Sequence, residues 1–133
     1  MSSKLPDALS EPLESFESSI LAFQRGELPI FDLLREFMDT QLVLPSAAEA
    51  TSLQAIEPVI WHHDGAIMVG VFTHPDRAIP YAAMAPNIAQ MSGRKVIGII
   101  NKDVGLLVNP GSEEFSFVIP PIAVTSMRTE FGV

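Results

Sequence analysis

The pair Asp64-Gly65 falls between two runs rich in β-formers, Pro58-Val59-Ile60-Trp61-His62 and Ala66-Ile67-Met68-Val69-Gly70-Val71-Phe72. An Asp-Gly step lets two successive residues take positive φ, which matches the twist of a tight antiparallel hairpin. No other local feature restricts the fold as much, because it sets two strands side by side and puts His63-Asp64-Gly65 in the turn. Their side chains alternate between two faces, and such a sheet needs other elements to cover it.

The first forty residues supply those elements. Leu13, Phe16, Ile20 and Phe23 are spaced by three, four and three, which makes one apolar stripe on a helix over residues 12–24. Pro12 suits a first turn, Glu11, Glu14 and Glu17 suit the positive end of the helix dipole, and Gly26 is the expected stop. A second helix starts near Pro29, with Ile30, Leu33, Leu34, Phe37 and Met38 on one side. Together they make an αα-hairpin.

Beyond the helices, Gln41–Leu44 reads as a short edge strand ending at Pro45-Ser46, and residues 46–56 as a surface loop. The prolines at 75, 80 and 86 allow only short helical turns between Pro75 and Gln90. Residues 94–101 stay open: Val and Ile favour a strand, but so short an apolar run has no decisive period. Val104–Val108 and Phe115–Ile119 read as strands, and residues 121–129 as a terminal helix. The fold class is α+β, an N-terminal helical hairpin packed on a mostly antiparallel sheet of about five strands. Short helices are expected between strands three and four and at the C-terminus. The expectation is one domain over residues 1–133, with 1–11 a flexible N-terminal segment.

Composition narrows the chemistry. Apolar residues make up 47% of the chain and there are eight Phe, enough for a core without staples. The absence of Cys excludes disulfides, zinc-thiolate sites and thiol nucleophiles. Met38, Met68, Met84 and Met91 read as core filler. The N-terminus lacks a signal-peptide pattern, and no window approaches the ~18 apolar residues of a membrane span, so a cytoplasmic location without membrane association is expected. Eleven of the sixteen acids fall in residues 1–66, opposed only by Lys4, Arg25 and Arg35, whereas the second half is balanced. Such an acidic half repels phosphate backbones, so nucleic acid is not an expected partner. The acids are accounted for as solvated outer faces of helices, and they could also steer a basic protein surface.

Four groups of residues bear on chemistry. Asn109-Pro110-Gly111-Ser112 places Pro and Gly where a type II turn requires them, and Asn109 can accept from an N–H further along that turn. Thr73-His74-Pro75-Asp76-Arg77 opens a loop after the most apolar strand, with Thr73 a cap for the turn at Pro75 and Asp76 and Arg77 a surface ion pair. His62 and His63 point to opposite faces of a strand and cannot readily share a metal. Ser112 lacks the Gly-x-Ser-x-Gly elbow and no His follows it, while Gly93-Arg94-Lys95 is too short for a phosphate loop. No catalytic residue, cofactor or metal site is therefore expected.

Two stretches resemble the N-terminal domain of the SseB family. Gly70-Val71-Phe72-Thr73-His74-Pro75-Asp76-Arg77-Ala78 is similar to one family segment, and Gly105-Leu106-Leu107-Val108-Asn109-Pro110-Gly111-Ser112 to another, in the right order and over roughly residues 13–125. The resemblance implies a short helix after Ser92-Gly93 and a bacterial interaction or regulatory module of poorly defined molecular role. It also implies an association with sulfur-transfer proteins, which a chain without a thiolate could only modulate. A secretion-chaperone-like helper is one alternative, and a small-ligand enzyme using Thr73, Arg77, Asn109 and Ser112 is another. The candidate interaction surface comprises Thr73, Asp76, Arg77, Asn109, Gly111 and Ser112, with one or more protein partners, a homodimer among them.

Overall fold

In a computed structural model that describes residues 11–49, 51–52 and 55–133, the hairpin forms as expected. Strand β2 (Ile60–His63) pairs antiparallel with β3 (Ala66–Val71), with His63 opposite Ala66. Asp64 (φ 51°) and Gly65 (φ 79°) alone make the turn, both in the left-handed region. Strand β5 (Val104–Val108) lies parallel to β3, and β6 (Phe117–Ile119) runs antiparallel to β5, so the four-stranded order is β2-β3-β5-β6. A second sheet pairs β1 (Gln41–Ser46) with β4 (Asn87–Ser92), antiparallel. The segment 1–11 expected to be flexible lies, but for Glu11, outside the described residues.

Strand β1 is not an edge. On one side it pairs with β4, and on the other Val43 exchanges two backbone hydrogen bonds with Phe72, at 2.7 and 2.8 Å. The run Leu42-Val43-Leu44 is apolar throughout because both its faces are covered. Leu42 and Leu44 join the main core, whereas Val43 packs with Phe72, Ala78 and Tyr81 in a smaller one. Since Val43 bonds toward Phe72, it faces β4 in a pair without hydrogen bonds. Pro45, two residues on and opposite Ile88, occupies the same kind of position, where β4 requires no donor from it. The strand therefore continues past Leu44.

The first helix, α1 (Ser15–Gln24), starts after Glu14, whose carboxylate accepts from the N–H groups of Phe16 and Glu17 at 3.1 and 3.0 Å. It buries Phe16 and Ile20, and α2 (Ile30–Met38) buries Leu33, Phe37 and Met38, with Ile30 left 48% exposed at its start. These side chains meet Val69, Val71, Leu106, Val108 and Ile119 on the sheet. Each such side chain contributes about 1.5–3 kcal/mol by leaving water. Short helix α3 (Pro75–Ala78) and a single 3-10 turn (Ile79–Tyr81) follow β3, as the prolines required. Asn87–Gln90, in the stretch where only short helical turns were expected, instead opens β4. Asn, Ala and Gln are weak β-formers, and pairing with the side of β1 turned away from Phe72 makes this strand. Met84 is 61% exposed and fills no core.

Residues 93–99 are helical, α4 (Gly93–Ile99), beginning where the Ser92 hydroxyl accepts from Lys95 N–H at 3.2 Å. The terminal helix α5 (Pro121–Phe131) ends at Gly132 in the left-handed conformation. Arg128 of α5 donates to the carbonyls of Ile97, at 2.8 Å, and Ile100, satisfying groups that the end of α4 leaves open. On the opposite face of the four-stranded sheet, Gly70 and Gly105 let side chains lie flat. A Cβ on Gly70 would come within 2.5 Å of the Trp61 ring, and one on Gly105 within 2.8 Å of the Met68 thioether. Trp61 in turn meets Tyr81 edge-on, with ring centroids 5.4 Å apart.

Candidate functional site

The loop after β3 and the turn after β5 leave the sheet side by side, because β3 and β5 are parallel neighbours in register from Ile67–Val104 to Val71–Val108. Asn109 continues that ladder, its N–H donating to Val71 O at 2.8 Å. It then takes φ 51°, a conformation Asn tolerates better than most residues. The turn closes with Ser112 N–H donating to Asn109 O at 3.1 Å and Gly111 at φ 92°, the positive value that the third position of a type II turn needs.

The Asn109 side chain does not serve its own turn. Its Oδ1 accepts from Thr73 N–H at 3.0 Å, and its Nδ2 donates to Thr73 Oγ1 at 2.9 Å and to Phe115 O at 3.0 Å. Thr73 is likewise not the cap of the turn at Pro75. His74 fills that place, with Nδ1 accepting from Asp76 N–H at 3.1 Å. The Thr73 hydroxyl instead donates to Glu17 Oε2 in α1. Nor do Arg77 and Asp76 form a surface pair. Arg77 turns inward, donating from Nε to Glu17 Oε2 at 3.1 Å and from Nη2 to Glu17 Oε1 at 2.8 Å. Its Nη2 also donates to Glu11 O at 2.8 Å, and its guanidinium lies 4.4 Å from the centre of the Phe115 ring.

Glu17 is fully buried, as is Asn109, and Thr73 and Arg77 are nearly so. Burial pushes the Glu17 carboxyl up. The donors from Arg77 and Thr73, with Leu13 N–H at 2.8 Å, outweigh that and hold it below the usual carboxylate range. Among the described residues no buried side-chain polar atom lacks a partner. The network thus joins α1, the β3 loop, the β5 turn and the approach to β6 through groups that are all satisfied. Replacing Asn109 by Ala removes three of its bonds and leaves Thr73 N–H and Phe115 O without partners. A loss of about 2–3 kcal/mol is expected in a urea melt.

Sequence reasoning did not single out Glu17, reading it as one of three helix-start acids. The signal was present: Glu17 stands four residues after Leu13 and three before Ile20, on the apolar stripe itself. A carboxylate inside such a stripe needs buried donors, and Arg77, Thr73 and Leu13 N–H provide them.

Five of the six candidate residues, Asp76, Arg77, Asn109, Gly111 and Ser112, line one hollow of about 360 Å³. Thr73 lines a different hollow beside Glu14 and Glu36. Tyr81 spans the first hollow, its hydroxyl donating to Pro110 O at 3.1 Å. The Ser112 oxygen accepts from Phe115 N–H at 3.1 Å. Of the four side chains named for small-ligand chemistry, Arg77, Asn109 and Ser112 therefore share the first hollow and Thr73 does not. Thr73, Arg77 and Asn109 bond to one another or to Glu17, and Ser112 braces its own turn. Among the described residues no group of three or more His, Asp or Glu is placed to hold a metal ion, and no helix is long and apolar enough to cross a membrane.

These features define an α+β domain in which an ion pair beneath two loops that leave neighbouring parallel strands ties the helical layer to the sheet. The family model for the SseB protein N-terminal domain matches residues 18–126, well over half of the chain, and the chain belongs to that family. No curated protein and no solved structure matches it.

Proposed function

We propose that this SseB-type domain is a non-catalytic interaction or regulatory module, and that a protein partner docks where the Thr73–Arg77 loop meets the Asn109–Glu114 turn. One observation carries the reading. The Glu17–Arg77–Thr73–Asn109 network fixes both loops from beneath, leaving Asp76, Gly111 and Ser112 around a hollow whose shape does not have to be organised on binding. A surface held in its binding shape saves the entropy of ordering. The polar groups that an enzyme would use are spent on that support, which favours recognition over reaction.

Because Thr73 and Asn109 are internal, a test through them would probe folding. The exposed rim gives a cleaner one. In affinity capture from the native host, Asp76→Arg/Pro80→Arg/Glu114→Arg is expected to lose a partner that both wild type and a distant control, Glu27→Arg/Asp103→Arg/Glu130→Arg, retain. Both variants should keep the wild-type melting profile. If no protein is recovered in a way that depends on the hollow, the reading fails.

A further inference from the structure

The hollow has a specific chemical character. Its lining includes ring surface from Pro80, Tyr81 and Pro110, together with three exposed carboxylates, Asp76, Glu113 and Glu114. Among the described residues Arg77 is the one cation in that lining, and it faces inward against buried Glu17. The field at the mouth is therefore negative.

On the other side of the same loop, Glu14, Glu36 and Asp39 line a second hollow of about 420 Å³ with Thr73 and His74. The Glu14 carboxyl is raised by burial, opposed by its helix-start N–H bonds, and raised further by the charges of Glu17 and Glu36. Negative charge is thus crowded on both flanks of the Thr73–Ala78 segment.

We infer, resting on the docking site proposed above, that the occupant of the first hollow is a basic segment of a partner protein, inserting a lysine or arginine side chain. Apolar rings beside carboxylates fit such a side chain along its length: the methylene stem lies on Pro80, Tyr81 and Pro110 while the cationic head meets Asp76, Glu113 or Glu114. Neither an acidic nor a purely apolar segment satisfies both parts. A bare metal ion finds no set of three ligands among the described residues.

The test uses the purified protein and two fluorescein-labelled decapeptides, one with four arginines spaced by glycine and serine, the other with four glutamates in their place. Fluorescence anisotropy at low salt is expected to give at least about tenfold tighter binding of the arginine peptide, a difference of about 1.4 kcal/mol. Neutralising the rim, Asp76→Asn/Glu113→Gln/Glu114→Gln, should weaken that binding about tenfold, whereas Glu27→Gln/Asp103→Asn/Glu130→Gln should leave it within about twofold. Equal weakening by both triple variants would reduce the effect to general attraction by an acidic protein and overturn the inference, as would no preference between the peptides.

The two proposals fail separately. A captured partner lost with Pro80→Arg but retained with the neutralised rim leaves the docking site standing and removes the basic occupant. A partner retained by every variant removes both.

Discussion

Replacing Arg77 by Met is expected to destabilise the protein by about 3–5 kcal/mol. The cost comes from what remains. Glu17 is fully buried, and without the guanidinium its charge has, among the described residues, Leu13 N–H and the Thr73 hydroxyl against it. The double variant Glu17→Leu/Arg77→Met removes charge and counter-charge together and should recover at least half of the loss, because apolar replacements of buried pairs are often tolerated. Urea melts of the two variants measure both values. A double variant no more stable than Arg77→Met would mean that the bonds to Thr73 and Leu13, and not the ion pair, dominate.

The same pair sets an acid response. The Glu17 carboxyl is held below its ordinary value in the folded state, so on acidification the unfolded chain takes up this proton first. Its contribution is complete above the unfolded value of about 4.3 and is lost as pH falls toward the folded one. Glu14, raised by burial, acts with the opposite sign: its protonation favours the folded state as pH falls. Glu17→Gln is therefore expected to flatten the acid limb of the stability profile, and Glu14→Gln to steepen it. Melting temperatures between pH 3 and pH 6 would show both.

The second large effect belongs to a backbone contact. A Cβ on Gly93 would stand 2.0 Å from the carbonyl oxygen of Phe37 and 2.9 Å from its carbonyl carbon, while Gly93 N–H donates to Thr40 O at 2.9 Å. Main chain cannot turn aside as a rotamer can. Gly93→Ala should cost about 3 kcal/mol, the upper end for overpacking, and lower Tm by roughly 10 °C. Gly98, in the same helix, supplies the control. Among the described residues, a methyl there meets only the Val133 side chain, at 3.0 Å. Gly98→Ala should be neutral or stabilise by about 0.5–1 kcal/mol, since it raises helix propensity. Similar losses from both would show that helix geometry, and not the approach to Phe37, is responsible.

What could be read from residues alone was what residues settle locally. Asp64-Gly65 and Pro110-Gly111 dictate their turns through φ, so both strand pairs were legible. The helical stripes were too, because period survives without knowledge of the partner. Asn87–Gln90 was not, since its strand character is supplied by β1, more than forty residues earlier. The run at 94–101 became a helix through the Ser92 cap and the close seat that Gly93 allows, neither visible in its Val and Ile. The candidate residues were named from the sequence, and five of the six line one hollow, but the contacts expected of Thr73, Arg77 and Asn109 were misassigned. Thr73, Arg77 and Asn109 looked like exposed loop residues, and only the fold brings Glu17 beneath them.

The chain has one tryptophan and one tyrosine, and they touch. Trp61 lies on Gly70, and Tyr81, its edge-on neighbour, spans the hollow where a partner is proposed to dock. The molecule thus carries an optical reporter at that surface. Emission from Trp61, fed by energy transfer from Tyr81 5.4 Å away, comes from one place and needs no label.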